Sequence, residues 1–119
     1  MKRGKTQDLE RERARVAQLR PLRLYPWQEA EDGKVVVLKP KFEHPLLRRY
    51  LLPRLRNPNY RIHLDDIGSF VWRLCDGTHT IGEIEQELRE HFGQRVEPAF
   101  ERLSLFLAQL FRGSFIRYL

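Results

Sequence analysis

The sequence predicts an α+β domain in which three strand-like segments precede three short helices. Three observations carry this expectation. A β-branched run, Val35 to Leu38, follows a turn. Tyr60 to Leu64 alternates apolar and polar residues. Beyond residue 65, three segments with helical periodicity each open on a capping residue or proline and close at a glycine. The length of 119 residues suits one domain with an arm.

Taken in order, residues 6 to 19 hold good helix formers, but Leu9, Val16, Ala17 and Leu19 make only a thin apolar stripe between alternating Glu and Arg. Residues 1 to 19 are therefore read as a basic arm, partly helical or flexible. Pro21 ends it, and an extended stretch with Leu22, Leu24 and Trp27 leads through the Glu31-Asp32-Gly33 turn to Val35–Leu38, so a hairpin is expected. Residues 40 to 58 carry Pro40, Pro45, Pro53 and Pro58. Between them lie Arg48, Arg49, Arg54 and Arg56 and several leucines, a pattern that suits one or two helical turns broken at Pro53. Tyr60, Ile62 and Leu64 then share one strand face, with Arg61 and His63 on the other.

Asp65 is placed to cap a helix with Ile67, Phe70, Val71 and Leu74 inward, stopped at Gly77. Thr80 and Glu83 form a capping-box pattern for a second helix, with Ile81, Ile84 and Leu88 inward and an end near Gly93. Pro98 opens a third, in which Ala99, Leu103, Phe106, Leu107 and Leu110 share a face up to Gly113. Phe115 to Leu119 either adds a small strand or covers the core.

The net charge of +6 is unevenly placed. Residues 1–24 balance at +5 and residues 39–61 at +6, whereas residues 66–112 balance at −3. Positive charge thus sits on the arm and on a loop rather than on the helices. No apolar run approaches the roughly 20 residues that a membrane helix needs, so no membrane span is expected. No apolar stretch follows the basic start, and the cytosol is the expected location. One cysteine, Cys75, leaves no disulfide framework, and His44, His63, His79 and His91 show no ligand spacing, so no metal and no cofactor is expected. Cys75 precedes an acid and a glycine, which suits a buried small hydrophobe better than a nucleophile. Trp72 lies off the main apolar stripe of its helix, and packing is preferred over a partner surface. No catalytic triad, phosphate loop or carboxylate dyad is found, so no catalytic residues and no enzyme are expected.

The stretch Leu64-Asp-Asp-Ile-Gly-Ser-Phe-Val-Trp-Arg-Leu-Cys-Asp-Gly-Thr78, followed by Thr80-Ile-Gly-Glu-Ile84 and Leu88, resembles the signature of the PqqD family. With Val96, Leu103, Phe106, Leu107, Leu110 and Phe115-Ile116 continuing the pattern, the resemblance covers residues 20 to 117 by spacing. It implies a winged helix-turn-helix-like domain, a three-stranded antiparallel sheet followed by three helices, over residues 20–119. It also implies a function without catalysis, as a recognition element for ribosomally made peptides. Such a domain binds the leader segment of a precursor peptide and presents it to a modifying enzyme, often a radical S-adenosylmethionine enzyme, as in PQQ biosynthesis. The basic loop at residues 41–59 is longer than typical members have, and the arm has no counterpart. Asp65 stands where many members have Asn, which caps a helix equally well.

The family mode is strand addition, with the third strand and third helix as walls. Carried over by position, the strand residues are Tyr60, Arg61, Ile62, His63 and Leu64. On the helix, spacing at 100° places Phe100, Ser104, Ala108 and Phe111 along one margin of the core stripe. Phe100 and Phe111 are expected to be at least half buried. The plainer reading makes Tyr60, Ile62 and Leu64 core residues, Arg61 part of a solvated face, and Leu105 an isolated exposed leucine. Two further functions compete with the adaptor. One is a winged-helix DNA-binding regulator, disfavoured for specific DNA because the second helix carries Glu83, Glu85, Glu87 and Glu90. The other is a structural subunit docking on a larger enzyme through the basic loop.

Overall fold

The computed structural model describes residues 2–119, with side chains from residue 4 onward. Five α-helices are present among the described residues: α1 (Lys2–Ala17), α2 (Pro45–Tyr50), α3 (Asp66–Leu74), α4 (Ile81–Phe92) and α5 (Ala99–Arg112). The strands are β1 (Pro21–Arg23), β2 (Trp27–Glu29), β3 (Val35–Pro40), β4 (Asn59–His63) and β5 (Ile116–Tyr118). The α+β class and the three-stranded antiparallel sheet match expectation, but the helices follow the strands only in part. Helix α1 precedes every strand, α2 lies between β3 and β4, and β5 follows α5. The chain forms two compact units, one of residues 25–69 and one that joins the N-terminal segment up to Leu24 to Phe70–Leu119.

In the first of these, β2, β3 and β4 form an antiparallel sheet in that order. Val35, Val36 and Val37 are all buried, so both faces of the central strand are covered, as the uninterrupted β-branched run requires. The expected hairpin starts later than the sequence reading placed it. Trp27–Glu29 pairs with Val35–Val37, whereas Pro21–Arg23 belongs to a second sheet. Pro26 separates the two strands and has no N–H with which to continue a ladder. In the loop, α2 ends at Tyr50 and a 3-10 turn spans Leu52–Arg54, so two helical turns are present as expected, but the break falls at Leu51 and Pro53 lies inside the second turn.

In the other unit, β1 is hydrogen-bonded on both sides. It pairs with β5 along one edge, and along the other the Arg23 and Gly77 N–H groups donate to the Cys75 and Pro21 carbonyls at 2.9 Å each. The terminal segment 115–119 is therefore a strand. The Arg23 guanidinium donates to the carbonyls of Trp72 and Arg73 at 3.0 and 2.7 Å, joining the Cys75 N–H, which also reaches the Trp72 carbonyl, at the end of α3. Thr80 and Glu83 close the capping box of α4 in both directions, and Ile81, Ile84 and Leu88 are buried, as are Ala99, Leu103, Leu107 and Leu110 on α5. Leu105 faces solvent. Helix α1 is anchored at its C-terminal end only, where Val16 and Ala17 are half-buried, while Leu9 is exposed.

Helix α3 departs from the expected stripe. Its buried positions are Gly68, Val71, Trp72 and Cys75, with Ser69 beside them, whereas Ile67, Phe70 and Leu74 are only half-buried. The inward face is turned by one residue because small side chains occupy it: the Ser69 hydroxyl accepts the Val35 N–H at 2.8 Å.

Candidate functional site

The hydrogen-bond register of β4 decides what its edge offers. The Leu64 N–H donates to the Val35 carbonyl and the Lys41 N–H to the Pro58 carbonyl, both at 3.0 Å. Val37 stands opposite Ile62 and Lys39 opposite Tyr60. Hydrogen-bonded pairs recur at every second residue of an antiparallel ladder, so the even-numbered residues of β4 direct their backbone groups to β3. Asn59, Arg61 and His63 direct theirs to the other edge. In the order β2-β3-β4 that edge has no neighbouring strand among the described residues. It is a row of donors and acceptors of the kind an extended chain can complete.

Side chains on β4 differ from the sequence reading in two respects. Tyr60 is 56% exposed and is not a core residue, and the Lys41 ammonium lies 5.6 Å from its ring centroid. Ile62 and Leu64 are half-buried; Arg61 and His63 are exposed. Arg61 is not simply solvated, because both of its terminal nitrogens reach the Gln28 amide oxygen, at 3.0 and 2.9 Å.

The residues expected on the helix margin lie on α5, in the other unit. Ser104, Ala108 and Phe111 come together there in a cavity of about 260 Å³, completed by Val16, Leu19, Ile81, Leu107 and Tyr118. Its walls are almost wholly apolar. Phe111 is 53% exposed, slightly more open than expected, and stacks on Tyr118 at 5.4 Å between centroids. The Ser104 hydroxyl is buried and has no hydrogen-bond partner among the described residues. Phe100 lies apart from this cavity and is half-buried, with the Arg13 guanidinium 4.1 Å from its ring centroid. Val16, Leu19 and Tyr118 were missed by sequence reasoning, because a thin stripe on α1 and a three-residue strand carry no periodic signal of a shared cavity.

The Leu-Cys-Asp-Gly-Thr motif builds a corner. Cys75 is buried, which pushes its thiol up to about 12, despite the nearby Arg23 charge, and removes it as a nucleophile. Burial also pushes Asp76 up, but its hydrogen bonds from His79 and from the Thr78 backbone and hydroxyl outweigh that and hold it below the ordinary carboxylate range. Gly77 has φ +80°, and a Cβ there would stand 3.0 Å from Leu119 and 3.3 Å from Leu22. Because the folded carboxyl of Asp76 is the stronger acid, its contribution is full above the unfolded value near 3.8 and is lost as pH falls below it. Asp76→Ala is expected to cost about 1–2 kcal/mol at neutral pH. In urea melts the gap between wild type and variant should shrink as pH falls toward about 2. A gap independent of pH would show that the charge is not what holds the corner.

Among the described residues, no group of three His, Cys, Asp or Glu is placed to hold a metal ion, and no helix is long and apolar enough to cross a membrane. In a comparison with protein families, the model for coenzyme PQQ synthesis protein D (PqqD) matches residues 52–116. The match is narrower than the span expected from spacing, leaving out β1 to β3 and the loop up to residue 51. Searches of curated proteins and of solved structures gave no match.

Proposed function

Because the chain belongs to the PqqD family, a family of PQQ biosynthesis, we propose that it is a non-catalytic adaptor for peptides. It binds the leader segment of a ribosomally made precursor by strand addition and presents it to a modifying enzyme, such as a radical S-adenosylmethionine enzyme, in the cytosol. The observation that carries this reading is the open edge of β4, where Arg61 and His63 point backbone N–H and C=O groups away from β3 inside the segment that matches the family. On the family's binding mode, Phe100, Ser104, Ala108 and Phe111 of α5 are proposed as peptide-contacting side chains. A winged helix-turn-helix arrangement over residues 20–119, extended by the arm and by the loop at 41–59, belongs to the same proposal. Cys75 is buried and Asp76 is committed to its turn, which fits a binding role rather than a chemical one.

The parity of the strand gives the test. The protein is titrated with a synthetic leader segment of a candidate ribosomally made precursor peptide, and amide exchange is followed by NMR. Protection should rise at Arg61 and His63, whereas Ile62 and Tyr60, already bonded to β3, should change little. If Arg61 and His63 exchange as in the free protein at saturating leader, strand addition at β4 is wrong.

A further inference from the structure

The loop between β3 and β4 is tied at its base and open at its tip. The Lys41 N–H donates to the Pro58 carbonyl at 3.0 Å, and the Tyr25 hydroxyl donates to Glu43 at 2.7 Å. Between those ties neither α2 nor the 3-10 turn has a single buried residue. Leu46, Leu47, Tyr50, Leu51 and Leu55 are all exposed, Leu46 to 60%. Such a concentration of large apolar side chains, in a segment that gives nothing to its own core, marks an interaction surface.

The arrangement names the partner. At 100° per residue, Leu46, Tyr50 and Leu47 of α2, with Leu51 at its C-terminal cap, fill an arc of about 140°, and Arg48 and Arg49 stand at its two borders. Arg54 follows on the 3-10 turn and Arg56 just beyond it, and no Asp or Glu occurs anywhere from residue 44 to residue 64. None of these four arginines pairs with a carboxylate among the described residues. Leucines with a tyrosine on one face and arginines along both borders suit a short helix lying flat in a lipid interface, apolar face down and guanidinium groups reaching phosphates. Nucleic acid would leave the leucines uncovered. A protein groove would need acids matched to arginines on opposite sides of one helix, whereas lipid phosphates are mobile and meet them wherever they stand.

We propose that the loop at residues 41–59 is a peripheral membrane-docking element that binds anionic lipid surfaces. This goes beyond peptide binding and does not depend on it. The full chain is floated with vesicles of phosphatidylcholine alone, or with about 30 mol% phosphatidylglycerol. At least about tenfold more protein should float with the anionic vesicles, and the excess should fall in high salt. The pair L46S/L51S and the pair R48Q/R49Q should each remove most of it, although both sets of side chains are exposed and their loss leaves the fold intact. In a Tyr50→Trp variant, brominated lipids should quench emission beyond the level given by Trp27 and Trp72. No binding to either vesicle overturns the proposal and leaves a protein as the occupant. Full binding by L46S/L51S, or an unquenched Trp at position 50, overturns it as well, because attraction through the basic arm would then suffice.

Discussion

Replacing His63 by proline is expected to lower affinity for the leader peptide about thirtyfold while leaving the fold in place, the reverse of what proline usually does inside a sheet. The His63 N–H faces away from β3, so the ladder to Val36 loses no hydrogen bond. The preceding residue, Ile62, is already extended, as a residue before proline prefers. What disappears is one donor on the open edge, and the ring stands where a guest strand would lie. Together these account for about 2 kcal/mol of binding. Ile62→Pro is the control, since its N–H belongs to the ladder with Val37, and it should destabilise the protein itself. Calorimetric titration of the leader, with circular dichroism of each variant, separates the cases. A native His63→Pro protein that binds as tightly as wild type would exclude the β4 edge. Arg61→Ala is the weak member of the series, because main-chain pairing dominates and that guanidinium is engaged by Gln28.

The largest effect on stability is expected at Trp72. Its side chain is fully buried, so Trp72→Ala leaves a cavity that its neighbours fill only in part, at a cost of about 3–5 kcal/mol. For a chain of this size, that lowers the thermal midpoint by about 10–20 °C. Trp72→Phe should cost far less. It keeps most of the ring volume and deletes an indole N–H that is buried without a hydrogen-bond partner among the described residues. A midpoint within about 4 °C of wild type in Trp72→Ala would mean that α3 does not build the core around this residue.

Trp72 also shows where sequence reading stops. Hydrophobic type put Ile67, Phe70, Val71 and Leu74 inward, yet the buried face runs through Gly68, Val71, Trp72 and Cys75. Small residues lower the apparent hydrophobicity of the side that packs most closely, so a pattern based on residue type turns the helix by one position. In α4, where every inward position is large and aliphatic, the pattern and the burial agree; in α5 they agree at Ala99, Leu103, Leu107 and Leu110, whereas Phe106, expected on the same face, is only half-buried.

Local chemistry accounts for what the residues determine alone. The capping box at Thr80 and Glu83, the Asp65 cap and the valine run of β3 depend on neighbours within a few positions, and each stands where the sequence puts it; Gly77 is left-handed as expected, but α3 has already ended at Leu74. The family, too, is written in such a local motif, whose Asp76 and Gly77 shape a corner. Contacts between distant segments are a different matter, because a three-residue strand or a half-turn of helix has no periodicity long enough to announce its partner. The pairing of β1 with β5, the cavity that joins Val16 and Leu19 to Ser104 and Phe111, and the exposure of Tyr60 follow from such contacts. So does the feature on which the proposed function turns. Alternation along residues 60 to 64 says which side chains share a face, but only pairing with β3 decides that Arg61 and His63, and not Tyr60 and Ile62, direct their backbone groups to the open edge.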